Sequence, residues 1–215
     1  PAEGSVKNPT TNVINVVNNW VGKAAKELKI RLSNVNIKAE NAGRKAAMDV
    51  SGGGKTKVEL DGQNVLDSHE VPYQAGLRKQ GEGTLIITDE TNDTGKEITT
   101  PKSESDTSGS LTAKGAGGNG AAGIGGSVAE GTKNIIIEGY ATVHAAGGGS
   151  GAGIGGGGSY GTDGAEVEPD ICALNPGGKI EYYAPRSSMS GTPNKTVTNP
   201  TGDFVWDSGT VTTPA

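Results

Sequence analysis

The stretches "GAAGIGGS" at 120–127 and "GAGIGGGG" at 151–158 carry the same unusual phrase, one isoleucine set among glycines and alanines. Three readings compete: a nucleotide-binding loop, a flexible linker, or a repeated structural part. Ile124 and Ile154 lie 30 residues apart, and Gly117-Gly118 and Gly125-Gly126 fall on Gly147-Gly148 and Gly155-Gly156 at that same offset. A period in this range is the signature of stacked repeats.

Working outward, alternating apolar runs recur along the chain: "LKIRLSNVNIKA" (28–39), "TKVELDGQNVLDS" (56–68), "GTLIITDE" (83–90), "GSLTAKG" (109–115), "KNIIIEGYATVHA" (133–145) and "GKIEYYAP" (178–185). Each is short, rich in β-branched residues or Leu, and bounded by Gly, Asn, Asp or Ser, which is strand punctuation. Leu32-Ser33-Asn34, Leu60-Asp61-Gly62 and Ile137-Glu138-Gly139 each end a strand in a turn, and a second strand follows: Val35 to Ala39, Asn64 to Ser68, Ala141 to Ala145. Ile30 to Val58 spans 28 residues and Val58 to Leu85 spans 27. Strand, tight turn, strand and loop at this period predict an all-β solenoid of five to seven coils, each burying its apolar face only by stacking on the next. Ile124 and Ile154 then form a ladder, and the glycines beside them let neighbouring backbones approach closely.

The expected organisation is a single domain. It has a lead-in over 1–27, coils over 28–185 with a polar loop inserted at 88–109, and an irregular, Pro- and Thr-bearing C-terminal cap over 186–215. Within the lead-in, "VINVVNNWVGKAAKEL" (13–28) reads equally as a helix or as a strand followed by a turn. Glycine and proline, 37 and 10 residues of 215, stay below the ~25–30% that marks low complexity. With aromatics at 4% and a single Phe, the composition fits a thin core of Val, Ile, Leu and Ala. The chain begins with Pro1 and reads as a segment of something longer.

The phrase "GSLTAKGAGGNGAAGIGGS" followed by "NIIIEGYATVHAAGGGSGAGIGGGG" resembles the repeats of large surface proteins from gut Firmicutes, over roughly residues 28–160. That resemblance implies a right-handed parallel β-helix and an extracellular location, at a bacterial cell surface or secreted. Proteins of this kind are similar to adhesins, to carbohydrate-binding modules and to immunoglobulin-binding, superantigen-like proteins.

Other classes are weakened by the sequence itself. A formal net charge of −5 with scattered Lys and Arg lacks the gathered basic face that nucleic acid requires. No apolar run is long enough to span a membrane, and the single cysteine, Cys172, permits no internal disulfide and reads as a small core side chain. "DVSGGGKT" (49–56) ends like a P-loop, but Asp49 stands where the first glycine belongs and a strand follows in place of a helix. The glycine spacing in 147–158 is no dinucleotide fingerprint either, since no helix follows it. "DETNDTG" (89–95) offers Asp89, Asn92 and Asp93 as hard ligands, yet too few for the 6–8 oxygens calcium takes. No metal or cofactor is expected.

A hydrolase or lyase on this scaffold needs converging carboxylates, for which Asp61, Asp67, Asp89 and Glu138 are the candidates. His69 and His144 are the only histidines. The aromatics instead point to binding. Tyr182 and Tyr183 stand side by side on a strand, Arg186 follows, and Trp206 lies near the end. Tyr, Trp and Arg dominate protein–protein hot spots, so these four are the candidate ligand-binding residues, although they serve equally as an end cap. The leading expectation is a non-enzymatic surface module that binds a host macromolecule, a host protein such as immunoglobulin variable domains. A carbohydrate-binding module is the alternative, and a polysaccharide-active enzyme the third.

Overall fold

A computed structural model describes residues 8–22, 26–91, 109–118 and 120–158, with the backbone of four later strands at 179–183, 195–198, 205–207 and 210–212. Strand β1 (Ile14–Val17) is followed by β2 (Leu28–Ser33), β3 (Asn36–Lys38), β4 (Met48–Ser51), β5 (Thr56–Asp61), β6 (Gln63–Asp67) and β7 (Leu77–Lys79). Next come β8 (Leu85–Asp89), β9 (Ser110–Lys114), β10 (Ile124–Gly125), β11 (Ile135–Gly139), β12 (Thr142–Ala146) and β13 (Ile154–Gly155). The last four are β14 (Lys179–Tyr183), β15 (Lys195–Thr198), β16 (Val205–Asp207) and β17 (Thr210–Thr212). Among the described residues the only helical element is one 3₁₀ turn, Asn41–Gly43. Of the segment 13–28, which reads as a helix or as a strand followed by a turn, Ile14–Val17 is a strand and residues 18–22 hold no helix.

The protein is therefore all-β: β1 to β15 stack in three sheets, and β16 and β17 form a separate two-stranded sheet. Sheet I runs β1-β4-β7-β10-β13, sheet II β2-β5-β8-β11, and sheet III β3-β6-β9-β12-β14-β15. Pairing is parallel throughout sheets I and II and from β3 to β14. Among the described residues only the pairs β14–β15 and β16–β17 are antiparallel. Following the chain from β2, each circuit visits sheets II, III and I in turn and returns one strand farther along every sheet. Four circuits are complete, with β1 before them and β14 after. This order is compatible with a β-solenoid or β-helix.

Register makes the columns of the core. Ile14, Met48, Leu77, Ile124 and Ile154 are successive partners in sheet I, and the last four are fully buried. Ile30, Val58, Ile87 and Ile137 form a second column, and Ile37, Leu66, Ala113 and Ala145 a third. Each fully buried aliphatic side chain contributes roughly 1.5–3 kcal/mol. The Ile124–Ile154 ladder is thus a real pairing. Val58, however, meets Ile87, an offset of two residues from Leu85. The same slip applies to the turns: Ile137-Glu138-Gly139 aligns through β8 with Val58-Glu59-Leu60, two residues before Leu60-Asp61-Gly62. A two-residue slip keeps every side chain on its face, so alternation alone does not detect it.

The corners are built from residues without room to spare. A Cβ on Gly123 would sit 2.6 Å from Ala146 N and 2.8 Å from Gly153 O, and Gly125 and Gly155 hold φ of 132° and 144°. The opening phrase is a corner where two successive layers touch through bare backbone. "SGGGK" is another. Gly52 and Gly54 press against Asn18, and a Cβ on Gly81 would lie 2.7 Å from Gly52 O. Lys55 beyond them pairs with Glu27 at 2.9 Å.

One layer is longer than the rest. Strand β8 extends through Thr88 and Asp89, which a loop starting at 88 does not anticipate. Buried Asp89 accepts a 2.7 Å hydrogen bond at Oδ2 from Gly109 N, so the chain leaves and re-enters the layer at one corner. Residues 92–108 lie outside the described residues, as do Asn92, Asp93 and Cys172.

The ladder sets a stability expectation. Ile124→Ala removes the middle of a closed column and costs about 3–4 kcal/mol by chemical denaturation. Thr112→Ala, on the outward side of β9, changes stability by no more than about 0.5 kcal/mol.

Candidate functional site

Parallel register that aligns apolar columns inside also aligns charged rows outside, because alternate residues of each strand face outward. On sheet II, Lys57 lies between Glu90 (3.0 Å) and Glu138 (3.1 Å). Burial lowers the lysine's pKa, but the two carboxylates outweigh it and raise the value above the usual lysine range. Beside it, Glu59 accepts from Glu90 N (2.9 Å), Thr91 N (2.8 Å) and Thr91 Oγ1 (2.9 Å). Burial still raises the Glu59 carboxyl above its ordinary value.

On sheet I, Arg78 reaches across three layers. Its Nε donates to Glu130 at 2.9 Å, Nη2 bonds the other oxygen of that carboxylate, and Nη1 donates to Asp49 at 3.2 Å. Burial raises the Asp49 carboxyl against the pull of Arg78. For Glu130 burial is overcome by the guanidinium, which holds it below the usual carboxylate range. Val13, Asn15, Arg44, Lys45, Asp49 and Arg78 border a hollow of about 210 Å³.

The four acids that a hydrolase reading singles out are not gathered at one point by register, and each has a structural partner. Asp61 is ion-paired with Arg31. Asp67 lies 3.5 Å from Lys114 and accepts from His69 N at 2.8 Å. Asp89 closes the corner at Gly109, and Glu138 holds Lys57. Among the described residues no three His, Cys, Asp or Glu side chains form a group able to hold a metal ion. No helix among them is long and apolar enough to cross a membrane.

The four predicted ligand-binding residues fall late in the chain. Tyr182 and Tyr183 occupy adjacent positions on β14, opposite Ala145 and Ala146 of β12. Tyr182 continues the row Ile37–Leu66–Ala113–Ala145, and Tyr183 the row Lys38–Asp67–Lys114–Ala146. Trp206 lies on β16, opposite Val211 of β17. Arg186 lies outside the described residues. Sheet pairing thus unites the two tyrosines on one strand but does not link Trp206 to them.

Sequence reasoning passed over a second aromatic position. Trp20 follows β1 at a corner and is 51% exposed, beside Val17 and Val21 at about 60% each. The run "NVVNNWVG" holds the signal, since asparagines flank an apolar cluster that no alternation places in a core.

No family model matches the chain, and no curated protein or solved structure matches it. The arrangement must therefore be read from its own chemistry. Outer side chains such as Lys57 and Arg78 are tied to neighbours in adjacent layers.

Arg78 provides the electrostatic test. The folded pKa of Glu130 lies below its unfolded value, so its stabilising contribution is complete above about pH 4.3 and disappears as pH falls through the folded pKa. Arg78→Met is expected to lower stability by about 1–2 kcal/mol at neutral pH, a figure reduced for partial solvent screening. Thermal melts should show the gap between variant and parent narrowing from neutral pH to about pH 3.

Proposed function

We propose that this chain is a non-enzymatic binding module of a bacterial cell surface or secreted protein, and that it recognises a host protein through the outer face of sheet III and the C-terminal segment. The observation that carries this reading is the register row Lys38–Asp67–Lys114–Ala146, charged over its first three members and continued in register to Tyr183. A surface ruled in this way is rigid along its length, so little conformational entropy is lost when a large partner docks. Its charge pairs favour a polar partner face, and aromatic residues at its end supply the type of anchor that dominates hot spots.

In this proposal the coil is right-handed, residues 186–215 form its cap, and Tyr182, Tyr183, Arg186 and Trp206 contact the partner. Immunoglobulin variable domains are the partner that the repeat resemblance implies. The committed acids count against an enzyme, because each candidate carboxylate already has a structural partner.

The test is biolayer interferometry of the immobilised chain against polyclonal Fab fragments, with mucin and plant glycans in parallel channels. Binding of Fab irrespective of antigen specificity is expected, and Tyr182→Ala or Trp206→Ala should weaken it by about 30-fold, a hot-spot loss near 2 kcal/mol. A folded chain silent toward Fab but responsive to a glycan would overturn the proposal.

A further inference from the structure

We propose that Trp20, Asn19 and Lys26 form a subsite for a single acidic sugar unit at the first corner of the stack, independent of the protein-binding face. The corner is built to present the indole. Asn18 is 5% exposed and its Nδ2 donates to Lys55 O at 2.9 Å and to Thr56 Oγ1 at 3.2 Å, one layer along. Its Oδ1 accepts from Trp20 N at 3.0 Å. A buried amide bonded into the next layer thus fixes the backbone that carries the ring. The ring itself stays outside the core cluster, with half its surface in water. A large apolar group rigidly held in solvent is the informative kind of exposure.

Next to the indole lies an open hollow of about 380 Å³ lined by Val17, Asn18, Asn19, Trp20 and Leu28. That is at the small end of ligand sites, which run from roughly 300 to 1,000 Å³, and admits one sugar ring more readily than a chain. Its polar equipment is specific. The Asn19 amide makes no hydrogen bond with a described residue, so it offers one acceptor and two donors. The Lys26 ammonium stands 5.6 Å from the Trp20 ring centroid and has no carboxylate partner among the described residues. The nearby acid, Glu27, is held by Lys55 at 2.9 Å, with Lys29 at 4.0 Å. With Glu27 already held by two lysines, Lys26 over the indole adds a further positive charge at the corner.

A pyranose matches this set group by group. Its axial C–H face is apolar and stacks on the indole, neighbouring hydroxyls pair with the Asn19 amide, and a ring carboxylate meets Lys26. An aliphatic protein side chain would cover the hollow but leave both the amide and the ammonium unmatched, which costs affinity. The carboxylate belongs to the sialic or the uronic class.

Saturation-transfer NMR on the full chain, with the methyl glycosides of N-acetylneuraminic acid, glucuronic acid and galactose as probes, tests the proposal and separates the two acid classes. One acidic glycoside is expected to bind with a dissociation constant on the order of 1 mM, about tenfold tighter than galactoside. Trp20→Ala should abolish transfer, and Lys26→Gln should bring the acidic and neutral probes to equal, weak binding. Both residues lie outside the core, so thermal melts of the two variants should match the parent. No transfer from either acidic probe at about 10 mM, or transfer that survives Trp20→Ala, would overturn the proposal. So would a Trp20→Ala variant that loses only Fab binding, which would assign the corner to a protein interface.

Discussion

Parallel pairing between successive layers commits the backbone N–H and C=O groups of each strand to the strands on either side, at about 4.8 Å spacing. A residue's closest neighbours are therefore the occupants of the same register position one circuit away, 28 to 30 residues off in the first two layers and at the Ile124–Ile154 corner. Every column must tolerate repetition along the stack. Aliphatic side chains stack on one another without penalty, so columns such as Met48–Leu77–Ile124–Ile154 stay apolar. Like charges repel when repeated in this way, and apart from Lys29 beside Lys57 the outer rows answer by alternating or by reaching diagonally. Arg78 lies between Asp49 one layer back and Glu130 one layer on, and Lys57 reaches acids from two later layers.

The same constraint acts on polar groups that fall inside. Asn64 is 1% exposed, yet its Nδ2 donates to Asp61 O and Ser110 O at 3.1 Å each and its Oδ1 accepts from Val35 N at 3.0 Å, so one side chain ties three layers. Lys79 takes the register position of Val50 and turns its amine to the carbonyls of Gln80 and Gly81 at 3.2 and 2.9 Å. Burial lowers its pKa from the usual lysine value. The Asn64 amide and the Lys79 amine persist in such a stack because backbone groups satisfy them.

Much of this was legible in the strands. Five-residue alternation exposed sheets II and III, and the isoleucines among glycines exposed the closing ladder. The short strands of sheet I were not legible at β4 and β7, because "MDVS" and "LRK" carry too few alternations to register as periodic. The exact register of β5 on β8 escaped for a different reason, since Leu85 and Ile87 are both inward and chemically alike. The Arg78 and Lys57 networks join residues 29 to 81 positions apart, and nothing local in the chain marks them. Trp20 was visible as an aromatic, but its exposure follows from Asn18 bonding into the neighbouring layer, which only the stack reveals.

Binding, in this account, is a consequence of the stacking: rigid rows lead to tyrosines on β14, and a rigid corner lifts one indole into solvent. Everything depends on the layers being in the stated register. Backbone NOE measurements on uniformly labelled protein test this most directly. The account predicts interstrand contacts joining Val58 to Ile87, Ile87 to Ile137, and Ile124 to both Leu77 and Ile154. Contacts joining Val58 to Leu85 instead, or an absence of contacts between Ile124 and Ile154, would contradict it.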